Sequence, residues 1–132
     1  MIKRCVLGLM VLMVASCATR SGPRAQISLA ELASLNQAKL AHVSIGMRKE
    51  ELVILMGSNT AETRDGIVNN PWTAEGFATD SGARYEVLYY VTRPNPPFTP
   101  VRKSLTTPIV LKDDKVVGWG EDALKRATNS GN

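Results

Sequence analysis

Few side chains in this 132-residue sequence are fit for chemistry. Cys17 is the first. It ends the stretch Val14-Ala15-Ser16-Cys17, an aliphatic residue and two small ones before a nucleophilic thiol. His42 is the only histidine, and a general base or metal ligand would need partners that its neighbours do not supply, so a helix-end role is expected. The acid pairs Glu50-Glu51, Asp113-Asp114 and Glu121-Asp122 are sequence neighbours. Adjacent helical residues do not face each other, and paired aspartates suit a turn, so none forms an acid–base couple. No G-x-S-x-G, H-E-x-x-H or phosphate-cradling glycine loop is present. No catalytic residue, metal ligand or cofactor is therefore expected, and the chain reads as a non-enzyme.

The segment that positions Cys17 is itself informative. Lys3 and Arg4 precede an apolar run from Cys5 to Ala15, broken only by Gly8. That order and length match a secretory signal, whereas a membrane span needs roughly twenty apolar residues. A buried N-terminal helix is the competing reading. Val14 to Cys17 resembles the bacterial lipobox. The resemblance implies cleavage between Ser16 and Cys17, an S-diacylglycerol group on the thiol and an N-acyl group on the freed amine. Several chains anchor a protein durably where one does not. Ala18 is not the aspartate that favours inner-membrane retention in enteric bacteria, so outer-membrane residence is expected. Removing residues 1–16 leaves 116 residues, takes Lys3 and Arg4 and no acid, and lowers the formal charge from +4 to +2. No block of like charge remains, so a nucleic-acid partner is not expected. Cys5 leaves and Cys17 is acylated, so the mature domain has no thiol for a disulfide.

Residues 17–27 read as the lipidated cysteine and a flexible tether, 28–122 as one α+β domain, and the residues after Glu121 as a short helix or, from 123 to 132, a polar tail. Ser28 and Glu31 have capping-box spacing, and Leu29, Leu32, Leu35 and Leu40 predict a helix through His42, whole or broken near Asn36. A second helix is expected from Arg48 to Met56, stopped by Gly57. A short strand over 60–64 is followed by turn signals at Asp65-Gly66 and Asn69-Asn70-Pro71. Tyr85 to Thr92 alternates as a strand, with Tyr85, Val87, Tyr89 and Val91 on the face expected to pack under Leu52, Leu55 and Met56. Pro108–Leu111 and Val116–Trp119 predict a hairpin turning at Asp113-Asp114. Gly118-Trp119-Gly120 suggests close backbone approach around a packed tryptophan.

Two stretches, "LAHVSIGMRKEELVILMGS" and "YEVLYYVTR…TTPIVLKDDKVVGWG", resemble the SmpA/OmlA (BamE-like) family of small outer-membrane lipoproteins. The second is closer to an uncharacterised sister group with a threonine-proline strand and a valine-glycine-tryptophan-glycine end. The resemblance implies two N-terminal helices packed on a three-stranded antiparallel sheet (αα-βββ), outer-membrane residence and action by binding. The sequence departs from the pattern at Arg48, which replaces the hydroxyl N-cap and costs the box with Glu51 about 1 kcal/mol. It also departs at Asn59, where proline is usual, and over the long stretch from Asp65 to Gly82.

Pro94, Pro96, Pro97 and Pro100 stiffen the segment after Tyr85–Thr92, which carries Phe98 among Arg93, Arg102 and Lys103. Phe98, Arg93 and Arg102 are candidate partner contacts, because a rigid loop loses little entropy on binding; the competing reading has Phe98 capping the core edge. The chain is thus expected to be a lipid-anchored, periplasm-facing interaction module in outer-membrane assembly or maintenance, with an envelope protein as partner. The alternative is a small ligand-binding or inhibitory periplasmic domain.

Overall fold

The computed structural model describes residues 26–96 and 99–130. Ser28 opens the first helix: its hydroxyl accepts the Glu31 N–H at 3.2 Å, satisfying one of the free donors at a helix start. Helix α1 (Leu29–Leu40) runs unbroken through Asn36. Its inner stripe is Leu29, Leu32, Ala33, Asn36 and Leu40, while Leu35 turns toward solvent. Helix α2 (Lys49–Met56) ends at Gly57, whose φ of +77° suits a residue without Cβ. Half of the capping box survives at α2. The Glu51 carboxylate accepts the Arg48 N–H at 3.1 Å and its guanidinium at 3.2 Å. These bonds, the backbone N–H first, hold the Glu51 carboxyl below its ordinary value.

Two sheets follow. The smaller joins β1 (Gln26–Ile27), β2 (Thr60–Thr63) and β3 (Gly66–Val68), with β1 parallel to β2 and β3 antiparallel to it. The larger is antiparallel in the order β4 (Thr73–Ala78), β5 (Arg84–Val91), β6 (Thr106–Lys112), β7 (Lys115–Trp119). A third helix, α3 (Glu121–Asn129), closes the chain, and Ala123 and Ala127 are buried beneath it. This overturns the expected αα-βββ arrangement of two N-terminal helices on one three-stranded sheet. After Glu121, where a short helix or a polar tail is expected, the chain forms a packed helix over Glu121–Asn129.

The larger sheet is covered on both faces. Leu88 and Tyr90 of β5, with Ile109, Leu111 and Val116, pack against Leu40, Val43, Leu52 and Met56 from the α1–α2 side. Val87, Tyr89 and Val110 pack against Ala123 and Ala127 of α3. Val91 joins Leu32, Ala33, Ala61 and Val68 over the small sheet. The face of β5 under α2 is therefore the opposite of the one expected. Leu55 is only half-buried beside this core.

Pro108 sits inside β6, opposite Tyr89, although β6 is an inner strand. It is tolerated because β7 has already ended: the first β6–β7 pair is Ile109 with Trp119. Asp113 and Asp114 make the two-residue turn with φ of 49° and 63°, the left-handed pair that such hairpins require. A bulge leaves Val117 unpaired. Val116 faces the α1–α2 core while Gly118 faces α3, a swap that one extra residue produces. A Cβ at Gly118 would lie 2.9 Å from the Cβ of Ala123. Glycine is thus needed there for the seat of α3. Trp119 is 38% exposed, so no packed tryptophan accounts for this glycine.

The two edges of the larger sheet differ. β7 is capped where Gly46 N–H donates to Val116 O at 2.7 Å and Val116 N–H to Met47 O at 2.8 Å. β4 has no strand on its outer side among the described residues.

A polar knot fastens the α1 side. The Asn36 amide donates to Val91 O at 2.8 Å and to Asn70 Oδ1 at 2.9 Å, and the Asn70 amide returns a bond to Asn36 Oδ1 at 3.0 Å. Asn70 also donates to Met56 O at 3.2 Å, and Lys39 Nζ reaches the same carbonyl at 2.8 Å. Among the described residues, one buried hydroxyl, that of Tyr90, has no hydrogen-bond partner. Burial first, and the charge of Glu86 second, push it up to about 12. An unpaired buried hydroxyl costs stability, so Tyr90→Phe is expected to leave denaturant stability unchanged or raise it by up to about 1 kcal/mol. A loss above that figure would mean that the hydroxyl is bonded in solution.

Candidate functional site

The crossover from β5 to β6 is held at its stem by backbone bonds. Thr92 N–H and Arg93 N–H both donate to Leu105 O, at 3.0 and 3.1 Å, and Leu105 N–H donates to Arg102 O at 2.9 Å. The Thr92 and Thr107 hydroxyls meet at 2.7 Å across the same stem. Further out, Asn95 and Thr99 close a turn: Thr99 Oγ1 donates to Asn95 Oδ1 at 2.9 Å, and the Asn95 amide donates to Thr99 O. Val101 tucks against the small-sheet core. The proline-rich segment is therefore pinned at its stem, at a turn and at one apolar contact.

Arg93 and Arg102 are exposed and lie at the two strands of this stem, drawn together through Leu105. The Arg93 guanidinium donates to Ser104 O at 3.1 Å, which holds it along the stem. Phe98, Ser16 and Cys17 lie outside the described residues. His42 is exposed just past α1.

A network not legible in the sequence backs the crossover. Lys103 forms an ion pair with Glu75 on β4. Its ammonium lies 4.9 Å from the centre of the Tyr89 ring, and Tyr89 donates its hydroxyl to Glu75 at 3.2 Å. The Lys103 hydrogen bond holds the Glu75 carboxyl below its ordinary value and raises the Lys103 ammonium above its own. Burial, and then the Glu75 charge, raise the Tyr89 phenol. Lys103 reads from sequence only as a flanking charge, and Glu75 stands in a segment with no strand signal.

Clefts flank the crossover. One of about 290 Å³ lies between Arg93, Ser104, Thr107 and Glu121. A second of about 190 Å³ lies between Asn95, Thr99, Leu29 and the β2–β3 hairpin residues Glu62 and Asp65. A larger one, about 420 Å³, opens beside the β6–β7 turn and mixes Arg84 with Glu86, Asp113 and Asp114. Among the described residues no group of three or more His, Cys, Asp or Glu could hold a metal ion. No helix of the described residues is long and apolar enough to cross a membrane. The arrangement suits contact through a stiffened, cation-bearing loop.

Fold and site thus define a small α+β domain with a helix-covered antiparallel sheet and a braced crossover at the end of its central strands. Residues 12–126 match the family described as protein of unknown function (DUF3192), and the chain belongs to that family. No curated protein and no solved structure matches it.

Proposed function

We propose that this protein is a lipid-anchored envelope protein that works by binding, with the crossover as its contact surface. The observation that carries the reading is the bracing of a proline-rich, arginine-bearing loop by its stem bonds and by the Lys103–Glu75 pair. Order of this kind reduces the entropy lost when a partner binds. The anchoring half rests on the charged start, the apolar run and the lipobox pattern ending at Cys17. On this reading Cys17 carries S-diacylglycerol and N-acyl groups and holds the domain at the periplasmic side of the outer membrane. An envelope protein is the partner.

Two experiments test the halves separately. Metabolic labelling with a tagged fatty acid is expected to mark the wild-type chain and not Cys17→Ser; equal labelling of both refutes the anchor. Affinity capture from solubilised membranes tests the contact surface. Loss of an aromatic anchor costs about 2 kcal/mol or more at an interface, so Phe98→Ala should weaken capture by about tenfold or more while thermal stability holds. Capture and stability falling together would make Phe98 a core residue.

A further inference from the structure

Helix α3 and the bulge of β7 build a further cleft, at the far end of β5 from the crossover. Its volume is about 280 Å³, and Tyr85, Val117, Ala123 and Ala127 supply its apolar wall. The bulge turns Val117 toward α3, and Gly118 lets the helix seat close enough to form the floor. Two cations line it, Lys112 from β6 and Arg126 from α3, beside Ser130, and among the described residues no carboxylate does. Lys112 Nζ lies 5.8 Å from the centre of the Tyr85 ring. A guanidinium nitrogen of Arg126 lies 4.0 Å from where a Gly118 Cβ would stand, so that side chain folds back over β7. Neither cation is in an ion pair among the described residues. The last-turn carbonyls of α3 favour a cation such as Arg126, but they do not account for Lys112 on the sheet. The two clefts beside the crossover and the cleft beside the β6–β7 turn, by contrast, each contain at least one acid.

We propose that this cleft binds an apolar ligand ending in a carboxylate, the chemistry of a peptide C-terminus. The acid group lies between Lys112 and Arg126, where hydrogen bonds to a charged acceptor are at their strongest. The adjoining aliphatic group lies on Tyr85, Val117 and Ala127. This site is separate from the crossover and does not depend on its role.

The test is a titration of the ¹⁵N-labelled full chain in detergent, followed by NMR, with N-acetyl-alanyl-valine, its C-terminal amide and acetate. Saturable shifts are expected at Gly118, Ala123 and Ala127, with the acid at least about tenfold tighter than the amide, the ratio that one charged hydrogen bond supplies. Lys112→Gln with Arg126→Gln should abolish that ratio while the variant still unfolds cooperatively, since both side chains are exposed. Equal affinity of acid and amide overturns the proposal, as does the absence of saturable shifts. Acetate binding as tightly as the peptide acid overturns its apolar half.

Discussion

Asn36→Leu is expected to cost this domain about 3 kcal/mol or more of unfolding free energy, although leucine shares the branched shape of asparagine and prefers a helix. Asn36 is fully buried in the inner stripe of α1. Its removal leaves Val91 O without the 2.8 Å bond and breaks both bonds of the Asn36–Asn70 pair. Each orphaned buried group costs about 1–3 kcal/mol; Val91 O is one, and the half-buried Asn70 side chain loses both of its bonds to Asn36. The apolar gain of leucine offsets only part of this. Denaturant unfolding with an unchanged m-value would measure it. A loss below about 1 kcal/mol would mean that water takes over the freed bonds.

The second large effect is at Leu52, which has no exposed surface and meets Leu88, Tyr90 and Ile109 under α2. Leu52→Ala should cost about 2–5 kcal/mol, the span for a buried leucine whose site cannot collapse. Leu55 is half-buried at the margin of the same cluster, so Leu55→Ala should cost about half as much. The order of the two separates the observed packing of α2 from a helix rolled to bury Leu55. Equal losses, or a larger loss at Leu55, would contradict the packing described above.

Much of this architecture is legible because its signals are local. The Ser28 cap, the Gly57 stop, the β5 alternation and the Asp113-Asp114 turn each lie within a few residues of what they determine. The face of β5 is a different matter. Apolar residues occupy both of its sides, since Leu88 and Tyr90 alternate with Val87 and Tyr89. Alternation then cannot say which side meets α2, and a sheet covered on both faces carries no polar face to settle it. Helix α3 hides for a related reason. Its seat is made by Ala123 and Ala127, small residues that read as weakly apolar, and by the absence of a Cβ on Gly118 of another strand. Strand β4, Thr-Ala-Glu-Gly-Phe-Ala, has little β-propensity and an edge position. Asn36 looks like a helix break because its partners lie as far away as Val91. At the crossover, prolines and arginines announce a stiff basic loop. The brace from Lys103 to Glu75 depends on β4 and is invisible without it.

The unequal edges of the larger sheet limit how it can grow. Backbone from residues 46 and 47 occupies the donor and acceptor of Val116 on β7, whereas among the described residues no strand pairs with the outer row of β4. A sheet with two open edges is a template for endless stacking of strands. One with a single open edge can accept one added strand. If two copies met there about a two-fold axis, each would cover the other's β4 edge. Association through that edge would end at two chains rather than extend as a fibre.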